Sequence, residues 1–150
     1  MADDAVYDAI KAFLSTPSNV AGLADPDTAE VPPIRFENEA FTKPNPPAPW
    51  ISVALTGVLY GQQSIGESVQ ADNRWDERGH LWLPVFVAAG AGASQPRRLA
   101  KKLADLFRGL TLLSGDLEFM DAFIGEGGPA EEEGNWYELP LAIEWRRVEA

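Results

Sequence analysis

The sequence predicts an α+β fold: a mostly antiparallel sheet with two helices packed on one side, and a projecting polar loop or β-ribbon. Three observations lead there. Four separate stretches alternate apolar and polar residues or run apolar at strand length, two others repeat their apolar residues at three- and four-residue spacing, and a long polar segment interrupts the strands. Helices at the start and before the last two strands, with no regular βαβ alternation, indicate α+β organisation. The chain of 150 residues, 45% of them apolar, is expected to form one domain spanning 1–150.

The first helix is expected over residues 3–14, with Val6, Ile10, Phe13 and Leu14 on one side. Asp3 and Asp4 stand where the helix dipole favours negative charge. From Ser15 to Pro49, eight prolines (Pro17, Pro26, Pro32, Pro33, Pro44, Pro46, Pro47 and Pro49) forbid a long helix. One short strand fits near Ile34 to Glu37, and the remainder is expected to be an extended surface connection.

Trp50 to Tyr60 alternates, Ile51, Val53 and Leu55 against Trp50, Ser52, Ala54 and Thr56, and is read as a central strand. Residues 61–79 are polar, glycine-punctuated and too long for a tight hairpin, so either the strands continue as a ribbon or the segment is a flexible loop. Ile65, Val69 and Trp75 would be costly to leave in water, which favours a contact with a partner. The loop from Gln62 to Asp76 is expected to be mobile in the isolated subunit and ordered in an assembly.

The strand that follows places Leu81, Leu83, Val85 and Val87 on one face and His80, Trp82, Pro84 and Phe86 on the other. Pro84 has no N–H for a ladder, which predicts an edge or a bulge at that point. After Gly90 and Gly92 comes the second helix. Ser94 is its expected N-cap, Pro96 lies in its first turn, Gly109 is its terminator, and Leu99, Leu103, Leu106, Phe107 and Leu110 form its apolar stripe. Leu117 to Ile124 reads as a strand, and Gly125 to Gly134 as a mobile acidic loop. Trp136 to Val148 is the final strand, with Tyr137, Leu139, Leu141, Ile143 and Trp145 inward and one wet face carrying Glu138, Pro140, Ala142, Glu144 and Arg146.

Charge narrows the function classes. A net charge of −11 disfavours non-specific binding to DNA or to anionic membranes. No run approaches the roughly 18 apolar residues of a membrane span, and the acidic N-terminus lacks the basic region of a secretory signal. The absence of cysteine removes disulfides and thiolate chemistry. Residues 93–110 carry five bases and one acid, whereas residues 111–150 carry ten acids and two bases. Arg97, Arg98, Lys101, Lys102 and Arg108 lie off the apolar stripe, so they form either a solvated face or one that meets an acidic surface of a partner.

No catalytic, cofactor-binding or metal-ligating set emerges. His80 is the single histidine and has no serine or cysteine partner signature around it. The carboxylate groupings Asp72/Asp76/Glu77, Asp116/Glu118 and Glu131 to Glu133 lack metal-loop spacing. Gly90-Ala91-Gly92 precedes a helix but lacks the lysine of a phosphate loop, and Pro96 stands where a backbone donor would be needed.

Taken in order, Phe36 to Phe41 ahead of Pro49-Trp50-Ile51, Gln63-Ser64-Ile65-Gly66, Arg78-Gly79-His80-Leu81, Ala100 to Gly109 and Gly134-Asn135-Trp136 resemble the tail-terminator-like proteins of long-tailed bacteriophages and prophages. The resemblance spans roughly residues 30–148. It implies a non-enzymatic virion subunit, made in the host cytoplasm and resident in the tail. Such a subunit assembles with itself as a six-fold ring, caps the tail tube protein to stop its polymerisation, and offers a surface to the head-neck connector protein. It implies no reaction, and no cofactor, membrane or direct nucleic-acid contact is expected. The competing expectations are a neck or head-completion subunit, a small cytoplasmic binding module, or an enzyme of unrecognised type. The family's contact residues form no transferable motif, so the candidate protein-protein contacts, Arg97, Arg98, Lys101, Lys102, Ile65, Val69 and Trp75, come from charge and loop length.

Overall fold

The structure, a computed structural model, describes residues 2–26, 29–62, 74–130 and 134–149. Helix α1 (Asp4–Ser15) begins at Asp3, whose carboxylate accepts from the Val6 amide at 3.2 Å and caps the first turn. It buries Val6, Ile10 and Leu14, the predicted side. A single helical turn, α2 (Pro17–Val20), and a 3₁₀ turn follow, and the described part of the proline-rich connection then contributes the two-residue strand β1 (Ile34–Arg35).

Three long strand segments each change sheet part-way along. β2 (Trp50–Ser52) becomes β3 (Ala54–Gln62) across Val53, and β4 (Trp75–Trp82) becomes β5 (Val85–Ala88) across Leu83-Pro84. Helix α3 (Ser94–Phe107), β6 (Thr111–Leu112), β7 (Leu117–Ile124) and β8 (Gly128–Pro129) come next. The last segment, β9 (Trp136–Leu139), becomes β10 (Leu141–Glu149) across Pro140. One sheet has the order β1-β2-β5-β9-β8 and the other β3-β4-β10-β7-β6. Apart from β1 with β2, every pairing is antiparallel.

The sheet changes explain where the sequence expectations need correction. Pro84 sits at a seam between the sheets rather than on an edge or a bulge. The Leu83 amide before it donates to Leu141 O at 2.8 Å, and the Pro84 carbonyl accepts from the Ser52 amide at 3.1 Å, so the missing N–H leaves no gap in pairing. The segment from Trp50 is interior only in its first part, because β3 is the end strand of its sheet. Of the polar stretch, the strands take residues up to Gln62 and from Trp75, which face each other, and β10 runs alongside with Glu149 opposite Trp75. Ile65, Val69 and the expected mobility of the loop fall on residues 63–73, outside the described residues. Within the acidic glycine-rich segment, Gly128 and Pro129 pair with Glu138 and Tyr137. Ala142 is buried although it alternates with the inward residues, since Trp82 and Phe123 flank it on the neighbouring strands.

Two apolar clusters result. The larger joins Val6, Ile10 and Leu14 of α1, Leu99, Leu103 and Phe107 of α3, and the inward residues Leu81, Leu83, Val85, Val87, Leu139, Leu141, Ile143 and Trp145. Both helices thus lie on one side, and Phe13 meets Phe107 with ring centroids 5.4 Å apart. The smaller lies on the other face of the first sheet. There Trp50 stacks on Phe86 at 4.1 Å, meets Trp136 edge-on at 5.9 Å, and is covered by Phe41. Phe41 therefore pins the proline-rich connection against the sheet.

Candidate assembly surfaces

Helix α3 has a firmly anchored inner side and a charged outer side. Leu99, Leu103 and Phe107 are buried, and burying each such side chain contributes about 1.5–3 kcal/mol. Ser94 is the first helical residue rather than the cap; Ala93 holds the cap position and supplies no side-chain bond. Gly109 ends the helix with φ of +73°, a conformation that costs glycine little. Arg97, Arg98, Lys101 and Arg108 are exposed and Lys102 is half-buried. Lys101 pairs with Asp105 one turn along at 2.5 Å. Among the described residues, Arg97, Arg98, Lys102 and Arg108 form no ion pair. Arg98 and Lys102 also line a shallow depression against Pro26, Pro32 and Pro49, enclosing only about 20 Å³, room for one water.

The facing ends of β3 and β4, at Gln62 and Trp75, are held differently. Trp75 stacks on Tyr60 of the facing strand at 5.4 Å, and the Tyr60 hydroxyl donates to Glu149. That hydrogen bond, together with some burial and the carboxylate's charge, raises the phenol pKa above its ordinary value. Asp76, nearly inaccessible, accepts from Arg146 Nε at 3.0 Å and lies 3.5 Å from Arg74. Asp3 accepts from Arg147 Nη1 at 2.9 Å, tying the α1 cap to β10. Burial pushes the Asp3 pKa up, but the Val6 amide and the Arg147 guanidinium outweigh it and hold the carboxyl below its ordinary value.

The predicted contact residues therefore fall on two elements. Arg97, Arg98, Lys101 and Lys102 share α3, Trp75 begins β4, and Ile65 and Val69 lie outside the described residues. A further apolar group escaped the sequence reading. Val58 and Leu59 are 66% and 59% exposed, Tyr60 40%, and on β7 Met120, Phe123 and Ile124 are 41%, 49% and 37% exposed. The available signal was the lack of alternation in Phe119-Met-Asp-Ala-Phe-Ile124, which puts apolar residues on both faces. Among the described residues, no group of three or more His, Cys, Asp or Glu is placed to hold a metal ion. No helix among them is long and apolar enough to cross a membrane.

A family model described as phage tail terminator protein matches residues 5–145. The chain belongs to the phage tail terminator family. This is a family of structural proteins of phage tails, and a structural role in the virion follows from membership. Solved chains share the fold, two of them as follows. A chain of the virion of a native gene transfer agent particle superposes with a TM-score of 0.61 at 14% identity, covering 96% of this chain and 95% of that one. A second solved chain gives a TM-score of 0.57 at 20% identity, covering 95% of each. No curated protein matches. The sequence resemblance to tail terminators is thus confirmed at the level of the family.

Proposed function

We propose that residues 1–150 act as one tail-terminator domain that assembles in the host cytoplasm into a ring of six copies. The ring caps the tail tube protein, stops its polymerisation and presents a joining surface to the head-neck connector. The observation that carries this reading is the basic face of α3, where Arg97, Arg98 and Lys102 form no ion pair with the described residues, on a member of the terminator family whose residues 111–150 are strongly acidic. Asp116, Asp121 and Glu126 of that acidic stretch are exposed. A positive patch on one side and a negative patch elsewhere on the same chain suit a head-to-tail contact, which closes into a ring when its rotation permits. Ile65, Val69 and Trp75 would add apolar area to the contact.

The test is electron microscopy of the purified protein, alone and mixed with tail tubes. Six-fold rings seated on tube ends are expected. Rings that bind heads and never tubes would identify a neck subunit instead, and a monomer under both conditions would overturn the proposal. Reversing Arg97, Arg98, Lys101 and Lys102 to glutamate is expected to leave the circular dichroism spectrum unchanged while weakening ring formation or tube binding at least tenfold.

A further inference from the structure

Of the large apolar side chains left exposed among the described residues, all except Val31 lie on two strands of one sheet: Val58, Leu59 and Tyr60 on β3, and Met120, Phe123 and Ile124 on β7. These strands stand at opposite sides of that sheet. β3 is its end strand, and β7 is followed only by β6, which pairs with Leu117 and Glu118 and leaves Phe119 to Ile124 with β10 as their one strand neighbour among the described residues. Among the described residues, each sheet side thus offers a run with no strand paired to its outer side, beside exposed apolar groups, and on β3 the Leu55 amide donates to the Glu37 carboxylate at 3.3 Å.

Such edges are ordinarily blunted by lysine, proline or inward charge. β3 carries no charged residue or proline from Ala54 to Gln62, and the β7 run carries Asp121 alone. The irregularity between Gly57 and Leu59 is local, since Leu59 to Gln62 pair regularly with Arg78 to Trp75 beyond it. We infer that β3 of one copy adds to the Phe119–Ile124 run of β7 in the next, so that this sheet continues from subunit to subunit.

The occupant is a second copy of this chain because of strand direction. β3 is antiparallel to β4, β4 to β10, and β10 to β7, so β3 and β7 run in opposite directions. When identical copies follow one another around an axis, the junction of β7 with the next β3 is antiparallel, like every other pairing in this sheet. The β3 edge and the Phe119–Ile124 run are both covered in each copy, and of this sheet's described edges the short strand β6 is left. The contact is heterologous, joining unlike strands.

This inference rests on the ring reading above but is separable from it. The chain contains no cysteine, so cysteines introduced singly at Val58, Leu59 or Tyr60, and singly at Met120, Phe123 or Ile124, report on these edges alone. Each β3 variant is mixed with each β7 variant, with tail tubes present, and oxidised. Covalent dimers are expected in at least one mixture that combines the two strands and in none of the single variants. Cross-linking of a β3 variant with itself would show a like-to-like contact and overturn the inference. Rings on tubes without any cross-link would overturn it while leaving the proposed function standing, and the absence of assembly under all conditions would overturn both. As a second readout, Leu59→Lys and Ile124→Lys are each expected to lower ring formation at least tenfold with an unchanged circular dichroism spectrum; undiminished assembly of both would also overturn it.

Discussion

At the scale of single residues, Gly79 is confined by backbone and a buried ring together. A Cβ there would stand 2.1 Å from the Thr56 carbonyl oxygen and 2.5 Å from Trp145 Cζ2, so backbone on one side and a buried ring on the other must both yield. Gly79→Ala is expected to destabilise the fold by about 3 kcal/mol, read as a lower urea midpoint with an unchanged slope. Asp3 gives a pH signature. Its folded pKa is depressed, so its stabilisation is present above the unfolded value of about 3.9 and is lost as pH falls through the folded value. Asparagine keeps the cap but not the charge pairing with Arg147. The unaltered chain is therefore expected to melt higher than Asp3→Asn at pH 6, with the difference fading below about pH 4. Both residues are plain in the sequence. Asp3 was legible as a helix-start charge from its neighbours alone, but the contacts of Gly79 come from residues 23 positions before it and 66 after it, and no local pattern announces them.

At the scale of elements, α3 separates two jobs by side. Its inner residues hold the sheet and its outer ones carry charge, so substitutions should divide accordingly. Leu103→Ala, at a fully buried position, is expected to cost about 3 kcal/mol by leaving a cavity, measurable by denaturant unfolding. The exposed pair Lys101–Asp105 is worth at most a few tenths of a kcal/mol, so Lys101→Ala should leave the unfolding midpoint in place. The helix, its stripe and its terminating Gly109 were legible because helical periodicity is a local property. So was β7, whose bounds Leu117–Ile124 agree with the sequence reading. The seams at Val53, Leu83-Pro84 and Pro140 were not: a strand that changes sheet keeps its alternation, so Leu81, Leu83, Val85 and Val87 read as one face and are buried together.

At the scale of the whole molecule, the proposed ring combines two kinds of contact with different responses to salt. The charge contact between α3 and the acidic stretch is screened, because the Debye length falls from about 10 Å at 0.1 M to about 3 Å at 1 M. The apolar sheet edges at Leu59 and Phe123 are not weakened in this way. Sedimentation across that salt range is expected to show assembly loosening without disappearing. Complete dissociation at 1 M would mean that charge alone holds the copies together, and indifference to salt would remove α3 from the contact.

The sequence by itself determined the α+β class, both principal helices, the inward residues of the strands, the charge asymmetry and the resemblance to tail terminators. All of these depend on periodicity, composition or residue order, which are written along the chain. Only the tertiary structure decided that the strands divide between two sheets, that Trp50, Phe86 and Trp136 form a second apolar cluster under Phe41, and that β3 and β7 are left at opposite sides of one sheet. Whether a strand is interior or terminal depends on which other strands bond to it, and that choice is made by long-range pairing and packing. Val58, Leu59 and Tyr60 look like core residues until their strand is found to have, among the described residues, a strand neighbour on one side alone.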